Sequence, residues 1–273
     1  MRAGAEPSAS GGERIAKVIA RAGVCSRRDA EAMIAAGRVV LNGAVLTTPA
    51  VTVGPRDVVL VDGKPLPEAE PTRLWRYHKP VGLLTADRDP EGRPTVRDAL
   101  PADLPRVVTV GRLDLNSEGL LLLTNDGALA RHLELPATGW LRRYRARVHG
   151  PVDQAVLDRL SDGTTVDGVR YGPIQATLDR TVGANSWVTI GLREGRNREV
   201  RKVLDSVGLT VSRLIRVSYG PFQLGDLPRG GVEEVKGKVL RDQVPAQVIR
   251  RAPGRAAGRT AQKARGAADR RPA

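Results

Sequence analysis

Gly111-Arg112-Leu113-Asp114-Leu115-Asn116-Ser117-Glu118-Gly119 runs straight into Leu120-Leu121-Leu122-Leu123-Thr124-Asn125-Asp126-Gly127. The four leucines read as a strand, and the polar residues before them as the loop that leads into it. In that loop the Asp114 carboxylate lies between two leucines and two positions after an arginine. Apolar neighbours disfavour an ionised carboxylate and a guanidinium favours it. A site that needs a dry but charged carboxylate needs both. Asp and Gly are also ordinary turn residues, so spacing alone leaves a turn acid and a reactive acid both open.

The chain has 273 residues, enough for one large domain or two modest ones. Aromatics make up only 3%, so the core must be built from Val, Leu, Ile and Ala. Lys and Arg number 44 against 30 Asp and Glu, a formal charge of +14 that points to a polyanionic partner, nucleic acid first. No stretch approaches the roughly 20 apolar residues of a spanning helix, and Met1–Gly12 lacks a signal-peptide core. A soluble cytoplasmic protein with no membrane partner is expected. Cys25 is the sole cysteine, which excludes an internal disulfide, and His78, His132 and His149 are scattered without ligand spacing. No phosphate- or dinucleotide-binding glycine loop occurs. Chemistry by ordinary side chains, with no metal and no cofactor, is the expectation.

Organisation follows from local pattern. Residues 1–12 read as a disordered N-terminus and 13–61 as a compact module. Arg14 to Ala22 puts Ile15, Val18, Ile19 and Ala22 on one helical face. Ser26 with Asp29 three residues on reads as the N-cap of a helix over 27–36, which Gly37 ends. Asn42-Gly43 between apolar runs signals a hairpin, and residues 58–61 supply a third strand. Residues 62–72 hold three prolines and read as a linker. The large domain, 73–244, alternates short strands with single helices at hairpin-length gaps. That pattern predicts an α+β fold on a mixed, largely antiparallel sheet. Residues 245–273 read as a basic disordered tail, with eight bases against one acid over 250–273.

Two further stretches carry candidate chemistry. Asn197 reads as the N-cap of a helix to Val207 whose Val200, Val203, Leu204 and Val207 form a buried stripe. At about 100° per residue, Arg201 lies at the edge of that stripe, placed either to reach a half-buried carboxylate or to snorkel over the core. Arg196, Asn197 and Arg198 form a basic turn ahead of it, suited to phosphate oxygens. Over Arg143 to Val148, Tyr144, Ala146 and Val148 share one strand face and Arg143, Arg145 and Arg147 the other. Tyr144 suits either a core position or stacking on a base.

The order SRRDAEAMIAAGRVVLNG resembles the RNA-binding domain named after ribosomal protein S-four, in which bases such as Arg14, Lys17, Arg27, Arg28 and Arg38 grip the RNA backbone. YHKPVGLLT (77–85), VGRLDLNSEGLLLLTNDG (110–127), Arg143-Tyr144 and EGRNREVRK (194–202) then occur in order. Together they resemble the motif set of pseudouridine synthases of the RsuA/RluB type, whose usual architecture also begins with an S-four-like module. The resemblance implies that Asp114 is the nucleophile in uridine-to-pseudouridine isomerisation. Tyr144 would pack on the target base and assist proton handling, and Arg201 would pair with the aspartate. Leu204 would form part of the pocket wall, and Lys79 and Pro80 would shape the site. Arg112, Arg196, Asn197 and Arg198 are the further substrate-binding candidates.

The sequence departs from the commonest pattern at His78, where Asn or Asp is frequent, at Arg143 (Lys) and at Glu199 (Gln). These departures bear on which uridine is chosen. RLIRVSYGPFQLGDLPRG and the basic tail look more like the large-subunit branch. The expected partner is therefore 23S rRNA, met as an assembly intermediate by a monomeric enzyme. A 16S rRNA enzyme of the RsuA type and a noncatalytic RNA-binding assembly factor remain the alternatives.

Overall fold

A computed structural model describes residues 12–250. The expected disordered N-terminus and most of the expected tail, 251–273, lie outside the described residues.

In the N-terminal module, β1 (Glu13–Arg14) leads into α1 (Ile15–Arg21), followed by α2 (Arg27–Ala35), β2 (Val39–Leu41), β3 (Ala44–Val45), β4 (Thr52–Val53), β5 (Val59–Val61) and β6 (Lys64–Pro65). The Ser26 hydroxyl accepts the Asp29 N–H at 3.0 Å while the Asp29 carboxylate accepts the Ser26 N–H at 3.3 Å, so both donors at the helix start are satisfied. Asn42 and Gly43 turn at φ 49° and 85°, the left-handed pair a two-residue hairpin requires. Ile15, Ile19, Ala30, Ile34, Val39, Val59 and Val61 bury one small core between helices and sheet.

The expected linker starts later than its prolines suggested. Asp62 and Gly63 form a turn, and Lys64–Pro65 pairs with β5 as the outer strand of the order β3-β2-β5-β6. Proline lacks only a donor, and an edge strand can spare one.

The second unit comprises β7 (Leu74–Lys79), β8 (Val108–Val110), β9 (Glu118–Thr124), α3 (Gly127–Glu134), β10 (Arg142–His149), α4 (Gln154–Asp158), β11 (Thr164–Val166), β12 (Val169–Tyr171), β13 (Gln175–Val182), β14 (Asn185–Leu192), α5 (Glu199–Asp205), β15 (Thr210–Tyr219), β16 (Phe222–Gln223), β17 (Val232–Glu234) and α6 (Gly237–Gln243). Its main sheet runs β13-β14-β10-β15-β9-β7-β17, with β8 beside β9 and β16 beside β15. Every pairing is antiparallel except β9 with β15. The fold is thus α+β on a mixed, largely antiparallel sheet.

Two cores flank that sheet. On one face Tyr77, Leu121, Leu123, Tyr144, Ala146 and Val148 pack with Leu157, Val200, Val203 and Leu204 from α4 and α5. On the other, Leu74, Leu120 and Leu122 pack with α3 and α6 through Leu129, Leu133 and Leu240. The four-leucine run is therefore buried on both sides, alternate residues feeding each core. Val248 and Ile249 pack on the second core and Arg250 meets Asp126 at 3.0 Å, so the chain from Pro245 to Arg250, assigned to the tail by composition, belongs to this domain.

Gly119 sets the close approach of β9 and β15. It turns at φ 106°, and a Cβ there would lie 2.3 Å from the Arg216 carbonyl oxygen. Only glycine lets the chain leave the Asp114 loop and join β15 at once. Helix α5 also differs from expectation. It begins at Glu199, one residue later than predicted, with Arg198 rather than Asn197 at the N-cap in a left-handed conformation, φ 52°. The Glu199 carboxylate accepts the Arg196 N–H at 2.9 Å, which folds the basic turn back on the helix start.

Candidate active site

Asp114 lies on the loop between β8 and β9, and that loop is fixed almost entirely through its backbone. The Leu113 carbonyl accepts the Thr85 hydroxyl at 2.7 Å, and the Leu115 carbonyl accepts the Gly82 N–H at 2.9 Å. The Asp114 and Ser117 carbonyls accept the Lys79 ammonium at 3.2 and 3.0 Å, and the Asn116 carbonyl accepts Arg201 Nη2 at 2.8 Å. Five consecutive carbonyls thus take donors from β7, the chain after it, and α5. Among the described residues, the Asp114 carboxylate itself takes no hydrogen bond and no ion pair. It is half-buried at the rim of a cleft of about 780 Å³, a volume in the range of small-ligand sites.

Lys79 lies wholly buried behind the loop, on the same sheet face as Tyr77, and also donates to the Pro80 carbonyl at 3.0 Å. Burial pulls its pKa down to about 8, against the pull of Asp114, which favours the ammonium. Arg201 differs from expectation. It forms no direct ion pair with Asp114, because its fork is engaged by the carbonyls of Asn116 and, at 2.8 Å, Val211. Burial lowers its pKa, the neighbouring Arg198 acts in the same direction, and the charge of Asp114 opposes both. Arg201 therefore holds the loop without touching the carboxylate.

Tyr144 comes up from β10 with its side chain nearly buried and lines the cleft opposite Asp114's loop, in register with Arg216 of β15. Arg112, Arg196, Asn197 and Arg198 also line the cleft, as anticipated. Leu204 does not. It is buried in the core, while Val200, one turn nearer the helix start, provides the wall. The cleft opens at the N-terminal end of α5, which leaves Leu204 a turn too deep.

Pattern reading missed Arg142 and Arg216, two buried arginines of the cleft. Arg142 stacks 4.6 Å from the Tyr219 ring centroid, donates to the Tyr219 hydroxyl at 2.7 Å and to the Arg193 carbonyl at 2.6 Å. Arg216 Nε donates to the Leu120 carbonyl at 2.7 Å, and its Nη2 is buried without a partner. The available signal was period-two alternation: Arg142 precedes Tyr144 by two, so it shares the inward face. Glu199, noted only as a departure from a motif, is buried at the cleft wall, and burial raises its pKa. Of the N-terminal bases, Arg14, Arg27 and Arg28 are exposed, Lys17 meets Glu13 at 2.8 Å and Arg38 meets Asp62 at 2.6 Å.

A loop-borne carboxylate kept free of partners, facing a tyrosine across an arginine-lined cleft, is built to act on a bound anionic substrate. Comparison with known proteins agrees. The family described as RNA pseudouridylate synthase matches residues 73–206, and the S4 domain matches residues 13–59. An uncharacterised RNA pseudouridine synthase of Rickettsia prowazekii is 43% identical over 231 residues, spanning 85% of this chain and 97% of the relative. The chain belongs to the RNA pseudouridine synthase family. It is also similar to ribosomal large subunit pseudouridine synthase B of Haemophilus influenzae, 44% identical over 242 residues, which cover 86% of this chain and 68% of that protein. The fold is shared with a pseudouridylate synthase crystal structure, at TM-score 0.60 and 24% identity over 85% of this chain and 99% of that one. This pseudouridine synthase thus pairs an S4 RNA-binding module with a catalytic domain.

Proposed function

We propose that this pseudouridine synthase isomerises one specific uridine of 23S rRNA, with Asp114 as the nucleophile. The observation that carries the assignment is the free carboxylate of Asp114 on a loop whose five carbonyls from Leu113 to Ser117 are all engaged. Lys79, the Thr85 hydroxyl and both Nη atoms of Arg201 are spent on the backbone, so the carboxylate is positioned without being consumed. The large-subunit substrate is supported by the similarity to the Haemophilus enzyme and by the run from Arg213 to Gly230.

The reaction breaks the C1′–N1 bond and forms C1′–C5. C5 loses its proton to solvent and N1 gains one, so uridine and pseudouridine are isomers. The base must leave its stack to enter the cleft. Asp114 then attacks C1′, or removes the C2′ proton to give a glycal, while Tyr144 holds the ring and handles the proton at C5. Arg112, Arg196 and Arg198 at the cleft mouth bind flanking phosphates, and Arg14, Arg27 and Arg28 of the S4 module add sequence-independent grip. The enzyme acts as a cytoplasmic monomer on a ribosome-assembly intermediate.

Carbodiimide labelling and primer extension on 16S and 23S rRNA test this. The strains needed are cells with the gene, without it, and with the gene carrying Asp114→Asn. A single 23S stop lost in both altered strains is the expected result. A lost stop in 16S rRNA moves the enzyme to the small subunit, and no lost stop in either excludes rRNA isomerisation.

A further inference from the structure

Helices α3 and α6 cover the second face of the sheet only at its β7–β9 end. Toward β13 that face is open. Arg143, Arg147 and Arg180 are exposed there, and Arg145, Arg213 and Trp187 are half-buried. Strand register orders them: Arg180, Trp187, Arg147 and Arg213 are direct neighbours across β13, β14, β10 and β15. At about 4.8 Å per strand, the row spans about 14 Å.

Only two carboxylates answer these arginines among the described residues. Asp179 meets Arg145 at 3.4 Å, and the buried Glu118 pairs with Arg213, and with Arg229 at 3.2 Å. Arg143, Arg147 and Arg180 have no acidic partner among the described residues. Like charges directly opposite each other weaken a sheet, and Arg147 faces Arg213 across β10 and β15. A polyanion laid across the row would neutralise the arginines that lack an acidic partner. Trp187 makes that binding less costly: Arg145 and Arg213 rest 4.9 and 5.9 Å from its ring centroid, so their guanidinium groups are partly ordered before a ligand arrives.

We propose that this open face is a second RNA-binding surface, gripping phosphates of the substrate outside the segment that enters the cleft. It is separate from the catalytic machinery, because Asp114, Tyr144 and Lys79 belong to the other side of the sheet. The proposal rests on an RNA substrate, which the family supplies, and deepens the functional reading by giving that substrate a longer footprint.

The test uses the full chain with Arg147→Gln and Arg180→Gln combined; both side chains are exposed and without acidic partners among the described residues, so the fold should be kept. Binding is measured against salt for two RNAs: a hairpin holding only the target uridine, and a longer 23S fragment with its flanking helices. The expected result is a salt slope on the long fragment reduced by about two, one for each lost phosphate contact. Hairpin slope and turnover should stay at the wild-type level. An unchanged slope on the long fragment overturns the proposal and leaves the face to an acidic protein or to solvent. Lost hairpin turnover overturns it too, since the face would then not be separate from the site. If the wild-type enzyme modifies neither RNA, the substrate assignment fails, and the slopes still decide whether the face binds RNA.

Discussion

Lysine is seldom fully buried without a partner, and Lys79 has three carbonyls instead of a carboxylate. Lys79→Met would leave the Pro80 and Ser117 carbonyls unpaired, at a cost of about 2 kcal/mol or more. The pH dependence of that cost identifies the ammonium. Its folded pKa, about 8, lies below the ordinary lysine value of 10.5. Between those values the unfolded chain holds the proton and the folded one does not, so folding stability rises with pH. Wild type should therefore gain stability relative to Lys79→Met from pH 8 to 10, by up to about 1.4 kcal/mol per unit. Denaturant titration at both values checks this, and a constant difference would contradict it. Arg198 offers a second test at this scale. Its left-handed backbone, φ 52°, costs a non-glycine residue about 1 kcal/mol. Arg198→Gly should raise the melting temperature by a few degrees while weakening RNA binding, a stability gain at the expense of function. A lowered melting temperature would show that the side chain, rather than the strain, dominates there.

Elements with regular apolar spacing were legible before any coordinates. The capping box of α2, the Asn42-Gly43 hairpin, the leucine strand β9 and the inward face of β10 all follow period and turn chemistry. Strand β15, the longest in the fold, did not, because Arg216 occupies an inward position and breaks the apolar alternation that marks a strand. Residue pattern reports burial of carbon, and this strand buries a guanidinium. The Arg201–Asp114 contact misled for a related reason: the helical face was right, but spacing cannot tell a carboxylate from a carbonyl as the acceptor. Leu204 shows the same limit along the helix axis. Gly119 carries the element-level prediction. Gly119→Ala drives a Cβ into the Arg216 carbonyl and asks alanine for φ 106°. It should cost more than about 3 kcal/mol and separate β9 from β15, read as a lower denaturation midpoint. A change below 1 kcal/mol would mean the close approach is not required.

At the scale of the whole molecule, a formal charge of +14 is distributed with purpose. Arginines line the cleft, and exposed bases mark the S4 module and the open sheet face. Truncation after Arg250 removes seven bases and one acid while keeping the Arg250–Asp126 bridge. A fall in the salt slope of RNA binding would show that residues 251–273 contact phosphates, the outcome expected from their composition; an unchanged slope would remove them from the footprint. What the fold adds to charge is a carboxylate held free at the centre of it. The direct measurement is single-turnover release of tritium from [5-³H]uridine-labelled 23S fragment by Asp114→Asn, with binding of the same RNA measured in parallel. Release abolished with affinity within about threefold of wild type is the predicted result, because the proposal gives the chemistry to the carboxylate while its loop is held by other groups. Release at the wild-type rate would contradict the assignment of Asp114 as the nucleophile.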